Sequence, residues 1–383
     1  MSRRLKILHV ISSWESGIGD ELSEFAFRVA RFGFECEICD LTRTNRRNLP
    51  DGPTTTLGLR WTCDVNAYFG IGRVLRQFRP DVVHTWDATA HSYAALHCGT
   101  RRILAEKRET DTPKGLWQNY LNRQTHRFIV PRKDDTVPTA KTVVIPPAAA
   151  PMPYSEPMQA EELLAKLDFP LVEPAGNYCP VLQPHYERSR RNDKTITHHQ
   201  TPFVFGVILP LCLEHRILDA LWVCESLSHV HLNYHAFFIG DGKDRETCLR
   251  YRDRWKLFSR VHFLGNRHDT HRLLPCFDAL LHLSSSAEHS RTILAAMSCG
   301  VPVVALETPE SREYIENGTT GVLISAEGDF RFYRRTAVKR LLHLLENKEL
   351  RRTMHVAAKE RVAQEFNFDT AVQRRMDVYR ELT

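Results

Sequence analysis

The sequence has no long apolar run. No stretch approaches the roughly 18 consecutive apolar residues of a membrane-spanning helix, so we expect no membrane span. Basic residues precede the apolar run Ile7–Ile11 near the N-terminus, but this run is shorter than the roughly seven to fifteen residues of a signal-peptide core. We therefore expect the run to be a first buried strand and the protein to be cytoplasmic.

The chain also lacks a strong charge of either sign. Its net charge of +6 over 383 residues is compatible with phosphorylated ligands or an anionic membrane surface. It contains no arginine-rich helix or aromatic-basic strand of the kind that binds nucleic acid. The ten cysteines are scattered, and the closest pair, Cys36 and Cys39, would face opposite sides of a strand. We therefore expect reduced, buried thiols, no metal site and no nucleic-acid partner.

Short apolar runs alternate instead with amphipathic segments, which is typical of parallel sheets covered by helices on both faces. The alternation breaks over 151–200, where segments rich in proline and alanine adjoin polar and basic ones. Because 383 residues exceed what one hydrophobic core usually supports, the predicted fold class is α/β with two doubly wound, Rossmann-like domains. We place these domains at 1–150 and 201–365, with 151–200 as linker and variable insertion and 366–383 as a final amphipathic helix.

The pattern predicts individual elements in both domains. The strands predicted from apolar runs are 6–11, 34–41, 81–86, 101–108, 127–132, 142–147, 203–209, 233–242, 260–266, 277–285, 301–306 and 321–325. The helices predicted from amphipathic segments are 20–33, 71–80, 217–227, 269–275, 291–299, 310–317 and a long pair over 333–366, with a further helix-like segment after the strand 81–86. In such folds ligands bind at the carboxyl ends of the strands.

Candidate site residues of the first domain follow its strands. Gly17 and Gly19 separate the first strand from the first helix, where backbone N–H groups can approach an anion, although a plain tight turn would use the same residues. The G-x-G-x-x-G pattern is incomplete because position 22 is Leu22. His84 and Arg108 end later strands. His84 is either a packed strand histidine or an acid or base, and Arg108 belongs either to a ligand cleft or to a solvated loop.

The second domain offers two further candidates. Gly240 and Gly242 form a turn after a strand, where turn geometry alone would justify both glycines. Ser290 is suited to cap the helix that follows it, and Arg291 lies in the first turn of that helix. The free N–H groups at this helix start, together with Arg291, could hold a phosphate.

Blocks of sequence in both halves resemble the retaining GT-B glycosyltransferases of family 4. The second half carries FVFGVIL, HAFFIGDGKDRE, VHFLGNRHDTHRLLPCFDALLHLSSSAEHSRTILAAMSCGVPVVAL and FNFDTAVQRRMDVYREL in the family's order. The first half carries LHVISSWESGIGDELSEFAFRVARFG, LRQFRPDVVHTW and VVIPPAAAP. The resemblance covers nearly all of the chain apart from 151–200. It implies the GT-B fold, with two Rossmann-like domains facing across a cleft and a C-terminal helix that crosses back to the first domain.

The resemblance also implies an activity and its partners. A nucleotide-diphosphate sugar would bind mainly to the second domain, and the sugar would be transferred with retention of configuration. The acceptor would be a sugar, a lipid-linked molecule or another small molecule bound by the first domain. No metal or other cofactor is implied. A location in the cytoplasm fits this activity, and peripheral association with the inner face of the membrane is left open.

Site roles follow from the same resemblance. Glu288 and Arg108 are the implied catalytic residues, Glu288 contacting the sugar and Arg108 standing where relatives carry a histidine. The candidate substrate-binding residues are Gly17, Gly19, His84, His215, Arg216, Gly240, Gly242, Ser290, Arg291, Thr292 and Ile293.

Some positions depart from the family's pattern. The usual arginine of the first strand of the second domain falls on Val207, the usual lysine falls near His215 and Arg216, and two usual glutamates fall on Ala287 and Ala295. Loss of one positioned charge donor costs about 3–4 kcal/mol in such a site. The sequence therefore supports two hypotheses: a working hexosyltransferase, and a catalytically impaired pseudo-glycosyltransferase that acts as a binding or partner protein. An epimerase on the same fold would need a site rich in glutamate and histidine.

Overall fold

The structure is a computed structural model. It describes residues 4–12, 19–42, 54–58, 64–97, 102–106, 116–130, 139–149, 202–231, 233–267, 269–286, 289–326 and 330–383. The chain forms two compact units. Unit 1 comprises Met1–Pro151 and Gln364–Thr383, and unit 2 comprises Met152–Ala363. The insertion that we predict over 151–200 lies outside the described residues.

Unit 1 is built on a parallel sheet. Its described strands are β1 (Lys6–Ile11), β2 (Glu35–Asp40), β3 (Thr54–Thr56), β4 (Val82–Thr85), β5 (Arg102–Glu106), β6 (Arg127–Val130) and β7 (Thr142–Val144). They lie in the order β3-β2-β1-β4-β5-β6-β7, and every pair is parallel. The order reverses between β1 and β4, which is the topological switch point of a doubly wound sheet.

Four helices connect these strands within the described part of unit 1. They are α1 (Gly19–Arg31), α2 (Val65–Phe78), α3 (Ala88–Ala95) and α4 (Leu116–Gln124). Asp64 caps α2, since its carboxylate accepts a hydrogen bond from the Asn66 N–H at 2.8 Å. Asp87 caps α3 in the same way, accepting from the Ala90 N–H at 2.8 Å. Helix α2 therefore begins earlier than the 71–80 that we predict from apolar periodicity.

Unit 2 contains the second parallel sheet. Its described strands are β8 (Phe203–Ile208), β9 (Tyr234–Ile239), β10 (Val261–Gly265), β11 (Ala279–His282), β12 (Val303–Leu306) and β13 (Gly321–Ile324). They lie in the order β10-β9-β8-β11-β12-β13 with parallel pairing throughout. The switch point of this sheet falls between β8 and β11. The predicted α/β class with two doubly wound sheets is thus confirmed.

Seven described helices belong to unit 2. They are α5 (Ile217–Val230), α6 (Arg245–Arg254), α7 (Thr270–Leu273), α8 (Arg291–Ser298), α9 (Pro309–Tyr314), α10 (Phe330–Glu346) and α11 (Lys348–Glu365). Helix α6 is absent from our predictions because it is very polar and buries only Cys248. In the part of the chain that the structure describes, no helix has both the length and the apolar character needed to span a bilayer.

The last helix, α12 (Phe368–Leu382), belongs to unit 1 although it follows unit 2 in the chain. Asn367 caps it by accepting from the Thr370 N–H at 3.1 Å. Its apolar face joins the core that contains Phe25 and Trp86, and Tyr379 is completely buried there. The helix is thereby held as an integral part of unit 1, which confirms the predicted return of the C-terminal helix to the first domain.

Candidate active site

The switch point of unit 2 brings together polar side chains from two loops. His215 ends a short 3₁₀ turn in the loop after β8, and Ser284 directly follows β11. The Nδ1 atom of His215 lies 3.4 Å from the Ser284 hydroxyl oxygen. That oxygen also accepts a hydrogen bond from the Ser286 N–H at 3.1 Å, so the hydroxyl holds the second loop in place while it contacts the first.

His289 completes this contact from the far end of the second loop. Its Nε2 atom lies 3.3 Å from Nε2 of His215, and the two rings meet edge to face with centroids 4.4 Å apart. One imidazole must donate and the other accept, because two protonated rings at this distance would repel. His215, Ser284 and His289 are called the histidine cluster below.

His282 lies beneath the histidine cluster at the end of β11. It is almost completely buried, and burial together with the neighbouring His289 and His215 lowers its pKa to about 3. Among the described residues, none hydrogen-bonds to its Nδ1 atom. His282 is therefore neutral at ordinary pH, with a buried ring nitrogen close to the histidine cluster.

Helix α8 begins beside the histidine cluster. Ser290 occupies the N-cap position as predicted, but among the described residues its side chain does not cap the helix backbone. Its hydroxyl lies instead 3.5 Å from the Tyr314 hydroxyl. Arg291 and Thr292 follow in the first turn at intermediate exposure, whereas the side chain of Ile293 is buried in the interior. A ligand at this helix start would therefore meet backbone N–H groups and Arg291 rather than Ile293.

Gly240 and Gly242 support the site from the neighbouring strand β9. A Cβ atom on Gly240, whose φ is +136°, would lie 2.2 Å from the Leu209 carbonyl oxygen, and one on Gly242 would lie 2.7 Å from that of Leu211. The Leu211 N–H also donates to the Asp241 carbonyl at 3.1 Å. Both glycines are thus required by close backbone packing against the loop that carries His215, and they shape the site through that loop.

Arg216 follows His215 but lies apart from the histidine cluster. Its backbone is left-handed, with φ of 58°, and its guanidinium lies 4.9 Å from the ring centre of Tyr333 on α10. Tyr333 in turn donates to buried Asp219, which also pairs with Arg334. Of the two basic residues that we predict near this loop, the described structure thus brings His215 to the cluster and stacks Arg216 on Tyr333.

Val207 lies inside β8, with its side chain in the core of unit 2. Val207 is the penultimate residue of β8 and contributes no charge to the carboxyl end of the sheet. The residues that follow the strand at this end are those from Leu209 to Arg216.

His84 lies in the interior of unit 1. It is fully buried, and its Nδ1 atom lies 2.6 Å from the Tyr379 hydroxyl of α12. Its Nε2 atom lies 3.5 Å from Oε1 of Glu106, to which Arg375 of α12 donates at 2.8 Å. The structure places this predicted ligand-binding histidine in an internal network that joins β4, β5 and α12.

Burial and neighbouring charges set the pKa values of His84 and Glu106 in this network. Burial lowers the pKa of His84, which the neighbouring Glu106 only partly offsets. Burial alone would raise the pKa of Glu106, but Arg375 and His84 outweigh it and hold the pKa well below its usual range. Glu106 is therefore an anion paired with Arg375 at all ordinary pH values.

The remaining predicted residues have no described side chain. Gly17, Arg108 and Glu288 lie outside the described residues, and Gly19 is the first residue of α1. Sequence reasoning did not single out Ser284, His289 or His282. The signal that could have found them is the polar HLSSS segment, which follows an apolar run as the end of a parallel strand does. Within the described part of the chain, no group of three His, Cys, Asp or Glu side chains could hold a metal ion.

The fold defines a class of architecture. Two doubly wound units and a C-terminal helix returned to the first are the features of the GT-B fold. Residues 213–346, which include the histidine cluster and α8, match the family model of "Glycosyl transferases group 1". This match covers about a third of the chain.

Comparison with a curated protein supports the same assignment. Over 141 residues the chain is 31% identical to the N-acetyl-alpha-D-glucosaminyl L-malate synthase of Bacillus anthracis. This match spans 37% of the chain and 36% of the length of the synthase.

Solved structures match the whole chain. HepE from Anabaena, in complex with UDP-glucose, shares 17% identity with a TM-score of 0.71, covering 99% of this chain and 100% of its own. The pneumococcal O-GlcNAc transferase GtfA, in complex with UDP and GlcNAc, shares 10% identity with a TM-score of 0.70 and covers 99% of both chains. A glycosyltransferase from Rickettsia africae shares 14% identity with a TM-score of 0.68 and the same coverage. At these identities the likeness establishes the GT-B fold.

Proposed function

We propose that the protein is a retaining glycosyltransferase that transfers a hexose from a UDP-sugar to an acceptor hydroxyl. The observation that carries the proposal is the meeting of His215, Ser284 and His289 at the switch point of unit 2, beside the start of α8. Doubly wound sheets bind their ligands at this place. HepE and GtfA, which share the fold, have been solved with UDP and a sugar.

In this proposal the diphosphate binds at the start of α8. Backbone N–H groups and the positive end of the helix dipole favour an anion there, and Arg291 adds a charge. On the other side His215, whose two ring nitrogens contact Ser284 and His289, would hold His289 and the loop after β11 in place, and a protonated ring of the pair would add a further positive charge. These groups would stabilise the negative charge that develops on the leaving diphosphate, where one positioned donor contributes about 10²–10³ in rate.

Two catalytic roles remain proposals about residues outside the described part of the chain. Glu288 would contact the sugar, and Arg108 would stabilise charge on the side of the first unit, with Gly17 and Gly19 nearby. His84 is better assigned to the internal network with Tyr379 and Glu106 than to the substrate.

The test is UDP binding. We expect saturating UDP to raise the melting temperature by several degrees, since ligand at about 100 times Kd adds about 2.7 kcal/mol of stability. His215→Ala should weaken binding by calorimetry several-fold, since losing one hydrogen bond that supports the loop costs about 1 kcal/mol. His229→Ala is the control, because that histidine is exposed and pairs with Glu225 at the end of α5. If neither UDP nor any other nucleoside diphosphate raises the melting temperature, the proposal is wrong.

A second candidate function is a pseudo-glycosyltransferase that binds the nucleotide or a partner without turnover. The observation that favours it is α8 itself, whose sequence RTILAAMS contains no carboxylate and has Ala295 where the family usually has a glutamate. Nucleotide release from a panel of UDP- and GDP-sugars with candidate acceptors separates the two. Donor-dependent release supports the transferase, whereas tight UDP binding without release from any donor supports the pseudoenzyme.

A further inference from the structure

The contact between His215 and His289 has a definite capacity for protons. The Nε2 atoms of the two rings lie 3.3 Å apart, and Nδ1 of His215 lies 3.4 Å from the Ser284 hydroxyl oxygen. When both rings are neutral, one hydrogen lies between the two Nε2 atoms. One added proton keeps this hydrogen bond, because an imidazolium can donate to a neutral imidazole. A second would set two N–H groups against each other, so the pair holds at most one positive charge.

The pair lies beside the place proposed for the diphosphate. His289 immediately precedes Ser290, the N-cap residue of α8, and Arg291 follows in the first turn. The His289 N–H donates to the Ser286 carbonyl at 3.3 Å, so the backbone of His289 is held within the same loop. Both His215 and His289 are half-buried. A diphosphate at the helix start would therefore lie close to the pair, and its negative charge would favour an added proton there.

The other ionisable groups of the surrounding elements keep their charge near neutral pH. Burial and the two neighbouring histidines lower the pKa of His282 on β11 to about 3, so this ring stays neutral. Burial raises the pKa of Tyr314 on α9 to about 12, so its hydroxyl stays protonated. Arg291 on α8 is a permanent cation. Of these groups and the histidine pair, only the pair can change its charge in the neutral range.

Carboxylates on the neighbouring loops and helices belong to other contacts. Glu214, beside His215 in the chain, lies 3.4 Å from Lys243, and Asp241 in the turn after β9 lies 3.7 Å from Arg245. The further carboxylates are Asp244, which accepts from the Leu213 N–H at 2.9 Å, Glu310 and Glu313 on the helix of Tyr314, and Glu288, which precedes His289 outside the described residues. An ion pair with lysine or arginine holds a carboxylate in its charged form.

We propose that binding of a nucleoside diphosphate is accompanied by uptake of one proton by the His215–His289 pair, so that nucleotide affinity rises as the pH falls through the neutral range. This rests on the proposed function, because it needs the diphosphate at the start of α8. Free imidazole titrates near pH 6.5, so a nearby anion can make the pair protonated at about pH 7. Uptake of one proton changes affinity by up to about tenfold per pH unit. A lysine at this place would stay charged and give no such dependence.

The experiment is calorimetric titration of the full chain with UDP at about pH 7 in PIPES, HEPES and Tris buffers. These buffers differ in the heat absorbed when they release a proton, so the slope of binding enthalpy against that heat counts the protons taken up. The terminal phosphate of UDP also titrates near this pH, and its share is measured with His289→Gln, which removes the pair. We expect the wild type to take up about half a proton to one proton more than His289→Gln.

A lysine variant separates charge from structure. His289→Lys carries a fixed charge, so between about pH 6 and pH 8 its UDP affinity should change with pH less than that of the wild type, by up to about tenfold per pH unit. His229→Gln is the matched control, because His229 is exposed and lies on α5, and it should take up as many protons as the wild type. Unchanged melting temperatures show that the variants fold. If His289→Gln does not fold, His215→Gln replaces it, since it breaks the same pair.

The outcomes distinguish this inference from the proposed function. Equal proton uptake by the wild type and His289→Gln would overturn the inference and leave nucleotide binding in place. The same pH profile of UDP affinity in the wild type and His289→Lys would also overturn it. Absence of UDP binding at every pH would instead contradict the proposed function, and with it the proton uptake that depends on bound nucleotide.

Discussion

His215 contacts two residues that are far from it in the chain, Ser284 at a separation of 69 positions and His289 at 74. The contacts exist because β8 and β11 are neighbours at the switch point, so their following loops meet. In the proposed site, His215 and His289 would take the place of the lysine that the family's pattern puts near His215. An imidazole is a weaker and pH-dependent cation than a lysine ammonium, so the chemistry of this site differs from the pattern at the level of single residues.

His282 gives a prediction for the pH dependence of stability. Its pKa is lowered to about 3 in the folded protein from an ordinary 6.5. Between pH 3 and pH 6.5, His282 is therefore protonated to a greater extent in the unfolded chain than in the folded protein. Its contribution to stability is therefore complete above pH 6.5 and is lost progressively as the pH falls toward 3. His282→Asn should reduce the slope of unfolding free energy against pH in this window by up to about 1.4 kcal/mol per pH unit.

Urea denaturation at several pH values measures this slope. His229→Asn, at an exposed position, is the control for replacing a histidine by asparagine, and His282→Asn should change the slope more than this control does. A slope that is the same in His282→Asn and in the wild type would show that His282 does not carry the effect.

At the scale of elements, the glycine turn after β9 positions the loop after β8. The turn is predictable from IGDG, but its function is not, because the constraint on Gly240 comes from the carbonyl of Leu209 in another part of the chain.

Other elements were not predicted correctly, for local reasons. Strand β3 consists of three threonines without apolar alternation, and Gly70 and Gly72 lower the helix propensity within α2.

Substitution of Gly240 tests this constraint. Gly240→Ala combines a φ of +136° with a Cβ only 2.2 Å from a backbone oxygen, so the loop carrying His215 must shift. We expect a lower melting temperature and weaker UDP binding. Gly265→Ala is the matched control, since Gly265 has a φ of +68° but open space around it, and it should cost only about 1–2 kcal/mol of stability. Similar UDP affinity in both variants would contradict the positioning role.

At the scale of the whole molecule, both ends of the chain build unit 1. The contacts of α12 with the sheet include a buried ion pair, Arg375 with Glu106, and the contact between Tyr379 and His84. Arg375 also lies over the rings of Phe25 and Trp86, at 5.6 and 5.7 Å from their centres. The unit is therefore complete only when the C-terminal segment has returned to it.

Breaking the ion pair between Arg375 and Glu106 should weaken the packing of α12 on the sheet of unit 1. Arg375→Met leaves the buried carboxylate of Glu106 uncompensated, which typically costs about 3–5 kcal/mol. Urea denaturation should show the loss, and protease cleavage near α12 should become faster. The double variant E106Q/R375M should recover part of the stability because no buried charge remains. A single variant as stable as the wild type would indicate that Glu106 is already neutral or solvated.

The sequence by itself determined most of the secondary-structure pattern, the α/β class and the resemblance to GT-B glycosyltransferases, because apolar periodicity and ordered local motifs are properties of neighbouring residues. Only the tertiary structure decided which polar side chains share a site. Strand order places the loops after β8 and β11 together, so His215 meets Ser284 and His289, and it places His84 inside unit 1. Spacing along the chain carries no information about such pairings, because parallel strands are joined through long crossovers and meet only when the sheet forms.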